Sequence, residues 1–345
     1  MSDETAGPVA PEPRPAGPAA TAGIAVLGGA PGRSPFALLR QAGLDPLEAE
    51  PAPKQVSAGL AARFHYGASS VRAGELGEVR AVAQLVAQAL GGALPRHVFW
   101  PQPDGTVIDG LRAAVEPCGL PDRAQAEAYR RAHLAATADV LRRAATVVLP
   151  LWRVAALADA ADGTIYPPAP PGVALPKGLR LAPAPETEEA LDAGFAALRA
   201  GLLAARPGAV IRIVLADAGA GGTAGEVPAP LRAAAARWAA CGDGVVHDPV
   251  LDHLVARHAA LPPDHPDRAR IAAAVARLVG GEDILDLIQP SGAASVAPTG
   301  GTEAAGADAP RRRAGKPGRG GRRGRKARQA EARIVCEDEL LEAFS

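Results

Sequence analysis

The sequence predicts an α/β protein: a three-layer, doubly wound, mostly parallel sheet with disordered termini. Three observations predict it. Apolar strand-like runs alternate with helical patterns through residues 23–290. The runs are short, continuous and rich in β-branched residues, as in strands covered on both faces. The flanking segments are too small and polar to bury a core.

Residues 1–22, "MSDETAGPVAPEPRPAGPAATA", begin acidic and are rich in Pro and Ala. They read as a disordered leader and lack the basic start and apolar stretch of a secretion signal. Strands are expected at 24–27 "IAVL", 97–100 "HVFW", 146–152 "TVVLPLW", 209–217 "AVIRIVLAD" and 244–248 "GVVHD". Helices are expected at about 35–43, 75–91, 122–145, 186–205, 229–240 and 266–280. Strands separated by helices favour parallel pairing through crossovers. Residues 291–330 read as a disordered linker carrying a basic tract. Residues 331–345 read as a short amphipathic helix, with Leu340, Leu341 and Phe344 at helical spacing. Such a helix suits docking on a protein partner.

Composition narrows the function. Of the 345 residues 48% are apolar but only 3% aromatic, so a sizeable core is built from Ala, Leu and Val. The 37 basic and 37 acidic residues cancel, yet their distribution is uneven. The tract 311–328 holds Arg311, Arg312, Arg313, Lys316, Arg319, Arg322, Arg323, Arg325, Lys326 and Arg328 and no acid. Charge of that density binds polyanions (nucleic acid or anionic lipid) electrostatically, and without aromatics it does so without base stacking. In the alternative reading it is a solvated charge run. No apolar run approaches the roughly 20 residues that span a bilayer. Cys118, Cys241 and Cys336 lie far apart, so neither a zinc site nor a disulfide framework is indicated. A reduced, cytoplasmic compartment fits that usage.

The stretch "GIAVLGGAPGRSPFALLRQAGL" from Gly23 runs strand, tight turn, serine, helix. That order places Ser34 where a nucleophile can stand. Ser before Pro at a helix start is equally an N-cap with proline at the first helical position. "LGGAPG" at 27–32 lacks the Lys-Ser/Thr of a phosphate loop. "AGAGGT" at 218–223 reads as a glycine-requiring turn after Asp217, a strand-end carboxylate. His247, His253 and His258 do not share one helical face, so no metal site and no cofactor is expected.

Several motifs, in order, resemble the bacterial GSCFA family, related to the SGNH-type ester hydrolases. The family's Gly-Ser-Cys-Phe-Ala turn is matched by Arg33-Ser34-Pro35-Phe36-Ala37, its "SARFGN" stretch by Ala62-Arg63-Phe64. Its "DG…vDp…eP" pattern is matched by "DGTVIDGLRAAVEP" at 104–117, and its "dG.vYp..pG" by "DGTIYPPAPPG" at 162–172. "IRIVLADAGAGGT" and "VVHDPVLDHL" stand where the family has two further strands. The resemblance covers about 23–290 and implies a flavodoxin-like or SGNH-like fold.

The departures bear on activity. "VVLPLWRVAAL" at 147–157 lacks the Gly, Thr and Glu of the family strand, and the chain contains no asparagine at all. An SGNH-type site holds its oxyanion partly with an Asn side chain, and losing one such donor costs about 10²–10³ in rate. The family's base histidine follows an Asp by three residues; here Asp264 is directly adjacent to His265. Neighbouring loop residues point apart, so Asp264 is poorly placed to orient His265. The resemblance therefore implies a binding or scaffolding protein with a degraded hydrolase site. The alternatives are an active esterase acting on acylated carbohydrate through Ser34 and His265, and a polyanion tether.

Overall fold

The computed structural model describes residues 23–29, 34–215, 227–282 and 284. The leader, the basic tract, Asp217, the 218–223 turn and the C-terminal segment lie outside the described residues. Along the chain run β1 (Ile24–Val26), α1 (Pro35–Gln41), α2 (Ala58–Arg63), α3 (Val79–Ala89), β2 (Phe99–Pro101), β3 (Val107–Asp109) and α4 (Arg123–Arg143). Then come β4 (Thr146–Leu151), β5 (Leu157–Asp159), β6 (Ile165–Tyr166), β7 (Leu181–Pro183), α5 (Glu188–Ala205), β8 (Val210–Leu215), α6 (Ala229–Ala240), β9 (Val245–His247), α7 (Pro249–Ala260) and α8 (Asp267–Gly280).

The central sheet has four strands, all parallel, in the order β1-β4-β8-β9. Alternation sorts the side chains. Val147, Leu149 and Leu151 of β4, with Ile211, Ile213 and Leu215 of β8, face a core shared with α3, α5 and α6. Val148 and Val214 face the other way, against Phe36 and Leu39 of α1, Leu251 and Val255 of α7 and Ile271 and Val275 of α8. Helices thus flank the sheet on both faces. The reversal of strand order expected of a doubly wound sheet is not made by a further strand among the described residues. Residues 68–71 take that place irregularly: Ser70 N–H donates to Val26 O at 2.9 Å, and Val26 N–H donates to Ser70 Oγ at 2.8 Å.

The "HVFW" run is not part of this sheet. Its Phe99 and Trp100 belong to β2, which pairs antiparallel with β3 across a turn at Asp104-Gly105. Buried Trp100 stands beside Tyr166, ring centroids 5.7 Å apart, in a separate small core. A second excursion, the antiparallel sheet β6-β5-β7, links β4 to α5. Side-chain caps start most helices: Ser57 on Leu60, Glu78 on Ala81, Asp122 on Gln125, Thr187 on Ala190 and Asp248 on Val250.

Candidate functional site

Ser34 is fully buried and caps α1. Its Oγ accepts the Phe36 N–H at 3.1 Å, and Pro35 holds the first helical position. The approach from β1 is tight. Gly29 has φ +124°, and a Cβ there would lie 2.6 Å from Ser34 Oγ and 2.9 Å from Ala68 O. Only glycine fits between the strand and the serine.

His265 lies in the α7–α8 connection. Its Nδ1 accepts the Asp267 N–H at 3.2 Å and stands 4.0 Å from the Asp267 carboxylate, while Asp264 is exposed. This connection is tied to the far end of α1. Arg268 donates to the carbonyls of His258 and Leu261, and His258 Nε2 pairs with Oε1 of Gln41, the last residue of α1, at 2.9 Å. Ser34 caps the first turn. A seven-residue helix is about 10 Å long, so α1 separates Ser34 from the His265 turn.

His247 and His258 have structural partners, while His253 is exposed on α7. His247 Nε2 bonds Asp252 Oδ2 at 2.8 Å, and Asp252 Oδ1 accepts the Leu215 N–H at 2.7 Å, joining β8, β9 and α7. Burial, then the charge of Arg268, pulls His258 down to about 4. No cluster of potential metal ligands occurs among the described residues. None of the described helices is long and apolar enough to cross a membrane.

A cluster of perturbed groups stands elsewhere, beyond the outer edge of β1. Glu50 Oε1 bonds His133 Nδ1 at 2.7 Å, and Glu50 Oε2 bonds Arg112 Nη2 at 2.7 Å and Arg72 Nη1 at 3.4 Å. Arg72 also pairs with Glu116 at 2.7 Å, donates from Nε to Phe64 O at 2.8 Å, and lies 3.9 Å over the Tyr66 ring. Burial alone would raise the Glu50 carboxyl. The His133 hydrogen bond and the charges of Arg112 and Arg72 overcome it and bring Glu50 down to about 2. Burial, then Arg112, brings His133 down to about 4 against the pull of Glu50. At neutral pH the pair is therefore a neutral imidazole donating Nδ1–H to a carboxylate. His133 Nε2 has no hydrogen-bond partner among the described residues.

Glu50, Arg72 and His133 line a cavity of about 360 Å³ whose walls also include Phe64, Tyr66 and Cys118. Behind it, fully buried Arg130 pairs with Asp109 at 3.2 Å and with Gln88. Cys118 is disulfide-bonded, although the cysteine spacing predicts no disulfide, and Cys241 is a free, exposed thiol.

The sequence carried one signal for this cluster. The buried stripe of α4 contains Ala126, Arg130, His133, Thr137 and Leu141, so three polar residues occupy core register. Buried polar groups in that position require partners, and the partners lie in Glu50, Arg72, Asp109 and Arg112. Polar residues on a core stripe mark a functional candidate when their protonation is displaced beside a cavity.

The fold and site thus define an α/β protein with a four-stranded parallel sheet and a charged cavity beside its β1 edge. No protein-family model, curated protein or solved structure matches the chain.

Proposed function

We propose that this chain is a non-catalytic binding or scaffolding protein, a divergent GSCFA-like member of the SGNH-like, flavodoxin-like α/β group, whose hydrolase site is degraded. One observation carries the reading. The hydroxyl that would attack an ester is fully buried and engaged as a helix cap, whereas a nucleophile must meet both its base and its substrate. Two features support it. The nearest histidine in the family order lies past the opposite end of α1, and no asparagine exists to hold an oxyanion. In this reading the basic residues 311–328 contact a polyanion and residues 331–345 dock on a protein.

Hydrolysis of short-chain p-nitrophenyl esters tests it. The wild-type chain and Ser34→Ala should turn over at the same background rate. A Ser34-dependent rate with an acyl-enzyme burst would establish instead an esterase working through Ser34 and His265.

A further inference from the structure

A second cavity, of about 320 Å³, lies against the carboxyl ends of β1 and β4. Its wall is fastened to both strands. The Leu76 carbonyl accepts the Gly29 N–H at 3.3 Å just past β1. The Gly77 carbonyl accepts the Trp152 and Arg153 N–H groups, each at 3.0 Å, just past β4. Residues 68–71 lie on one side of β1 and β4 on the other, so this is where the sheet changes winding direction. Ligands of open α/β sheets bind at that point, outside the carboxyl ends of the strands. Leu76, Ala81, Leu157, Ile165, Pro167 and Pro168 make the walls mostly apolar.

The cavity adjoins a pit of about 20 Å³, room for one water-sized group, and Leu76, Ala81, Ile165 and Pro167 belong to both. The polar walls of the pit are Gln84, Gln88 and Arg130. Gln84 is spent on the Ile165 backbone: it donates to the carbonyl at 3.0 Å and accepts the N–H at 2.9 Å. Gln88 Oε1 accepts from Arg130 Nη2, and Asp109 accepts from Nη1 at 3.2 Å. The Arg130 Nε–H has no hydrogen-bond partner among the described residues, although its side chain is only 2% exposed. A charged donor buried without an acceptor is costly. We propose that this cavity binds an uncharged, largely apolar small molecule, whose carbonyl or hydroxyl oxygen accepts from Arg130 Nε in the pit.

Three observations set that chemistry. Apolar walls favour a hydrocarbon body. The pit requires an acceptor, because a guanidinium has only donors to offer. Charge then selects against ions. Asp109 already neutralises Arg130, so a carboxylate in the pit would be a surplus buried charge. The mouth carries Glu75, Glu78 and Glu186 against Arg153, with Arg80 bound to Glu78 at 2.6 Å, and this negative rim turns anions away. An ammonium group in the pit would meet the Arg130 guanidinium. Ser34 is not among the walls of this cavity, so the inference holds whether or not the protein is catalytic.

Four phenylalkyl compounds of similar size test it on the full chain at neutral pH: benzylacetone, butylbenzene, hydrocinnamate and hydrocinnamylamine, each titrated by NMR. The ketone benzylacetone should bind about tenfold or more tightly than the hydrocarbon, because a hydrogen bond from a charged donor separates them. The carboxylate and the amine should both bind more weakly than the ketone. Ala81→Leu fills the junction of cavity and pit, and should weaken the ketone about tenfold or more while the melting temperature holds. Arg130→Lys keeps a cation for Asp109 but removes the Nε–H, and should bring ketone and hydrocarbon to equal affinity. Should that variant fail to fold, Ala81→Leu still decides the location. Absent ketone binding, tighter binding of either ion, equal binding of ketone and hydrocarbon, or indifference to Ala81→Leu overturns the proposal. A ketone preference that survives in folded Arg130→Lys overturns it equally.

Discussion

His133 and Glu50 lie 83 residues apart in sequence and meet at 2.7 Å, one ring nitrogen against one carboxylate oxygen. The helix α4 supplies the imidazole and the loop after α1 supplies the acid. Neither side chain is stable there alone: the imidazole is fully buried, and the carboxylate lies against two guanidiniums.

The pair predicts acid sensitivity. His133 titrates near 4 when folded and at 6.5 as its ordinary value. The unfolded chain therefore binds this proton first, so stability present above about 6.5 is lost as pH falls toward 4. Glu50, at about 2 folded against 4.5 ordinarily, extends the loss from about 4.5 down to 2. The His133 share should be on the order of 1–2 kcal/mol between pH 7 and pH 5. Urea unfolding at the two pH values checks this, and His133→Gln should flatten the difference.

Glu50→Gln should destabilise the fold by about 2–3 kcal/mol, since it leaves Arg112, 4% exposed, beside a neutral amide. Removing one partner of a fully buried pair costs roughly 3–5 kcal/mol, and Glu50 retains 22% exposure, which lessens the loss. Chemical denaturation at neutral pH measures it.

Ser34→Ala should cost about 1 kcal/mol through the lost cap on Phe36. Gly29→Ala should cost more than that, because its φ of +124° and the Ala68 carbonyl at 2.9 Å both oppose a Cβ. Thermal melts of the two variants should rank in that order.

Deleting 311–328 should abolish most polyanion binding and leave the melting temperature nearly unchanged. In the intact chain, log affinity should fall with log salt at a slope equal to about four to seven phosphate contacts. Neutralising Glu337, Asp338 and Glu339 should tighten binding by removing competing acid. Binding that survives the deletion, or ignores salt, places the site on the folded domain.

The parallel strands were legible because each is a short apolar run bounded by turn residues: 24–27, 146–152, 209–217 and 244–248 all contain strands of the central sheet. Six expected helices appear with ends moved by a few residues. The helix α2 escaped because "AGLAAR" has no apolar stripe, and all six of its residues lie outside the buried core. The helix α7 lies outside the six expected helices, although Asp248-Pro249 is a cap followed by an N1 proline. The "HVFW" run supplies β2 of a separate hairpin and no strand of the parallel sheet, since an apolar run does not announce its partner. Ser34 as a cap was readable from Ser-Pro alone. The Glu50–Arg72–Arg112–His133 cluster was not, because its members come from four distant segments and only tertiary folding joins them.

The meeting of Val26 with Ser70 has a further consequence. Outer strands invite pairing with another molecule through their unused amides and carbonyls. On the outer side of β1, Ile24 O takes the Leu47 N–H, Val26 O takes the Ser70 N–H, and the Val26 N–H is taken by a hydroxyl. A second chain approaching this margin therefore finds three of its hydrogen-bonding positions already filled, one of them by a side chain that no strand register can extend. The protein is in this way guarded against stacking into open-ended ribbons at β1.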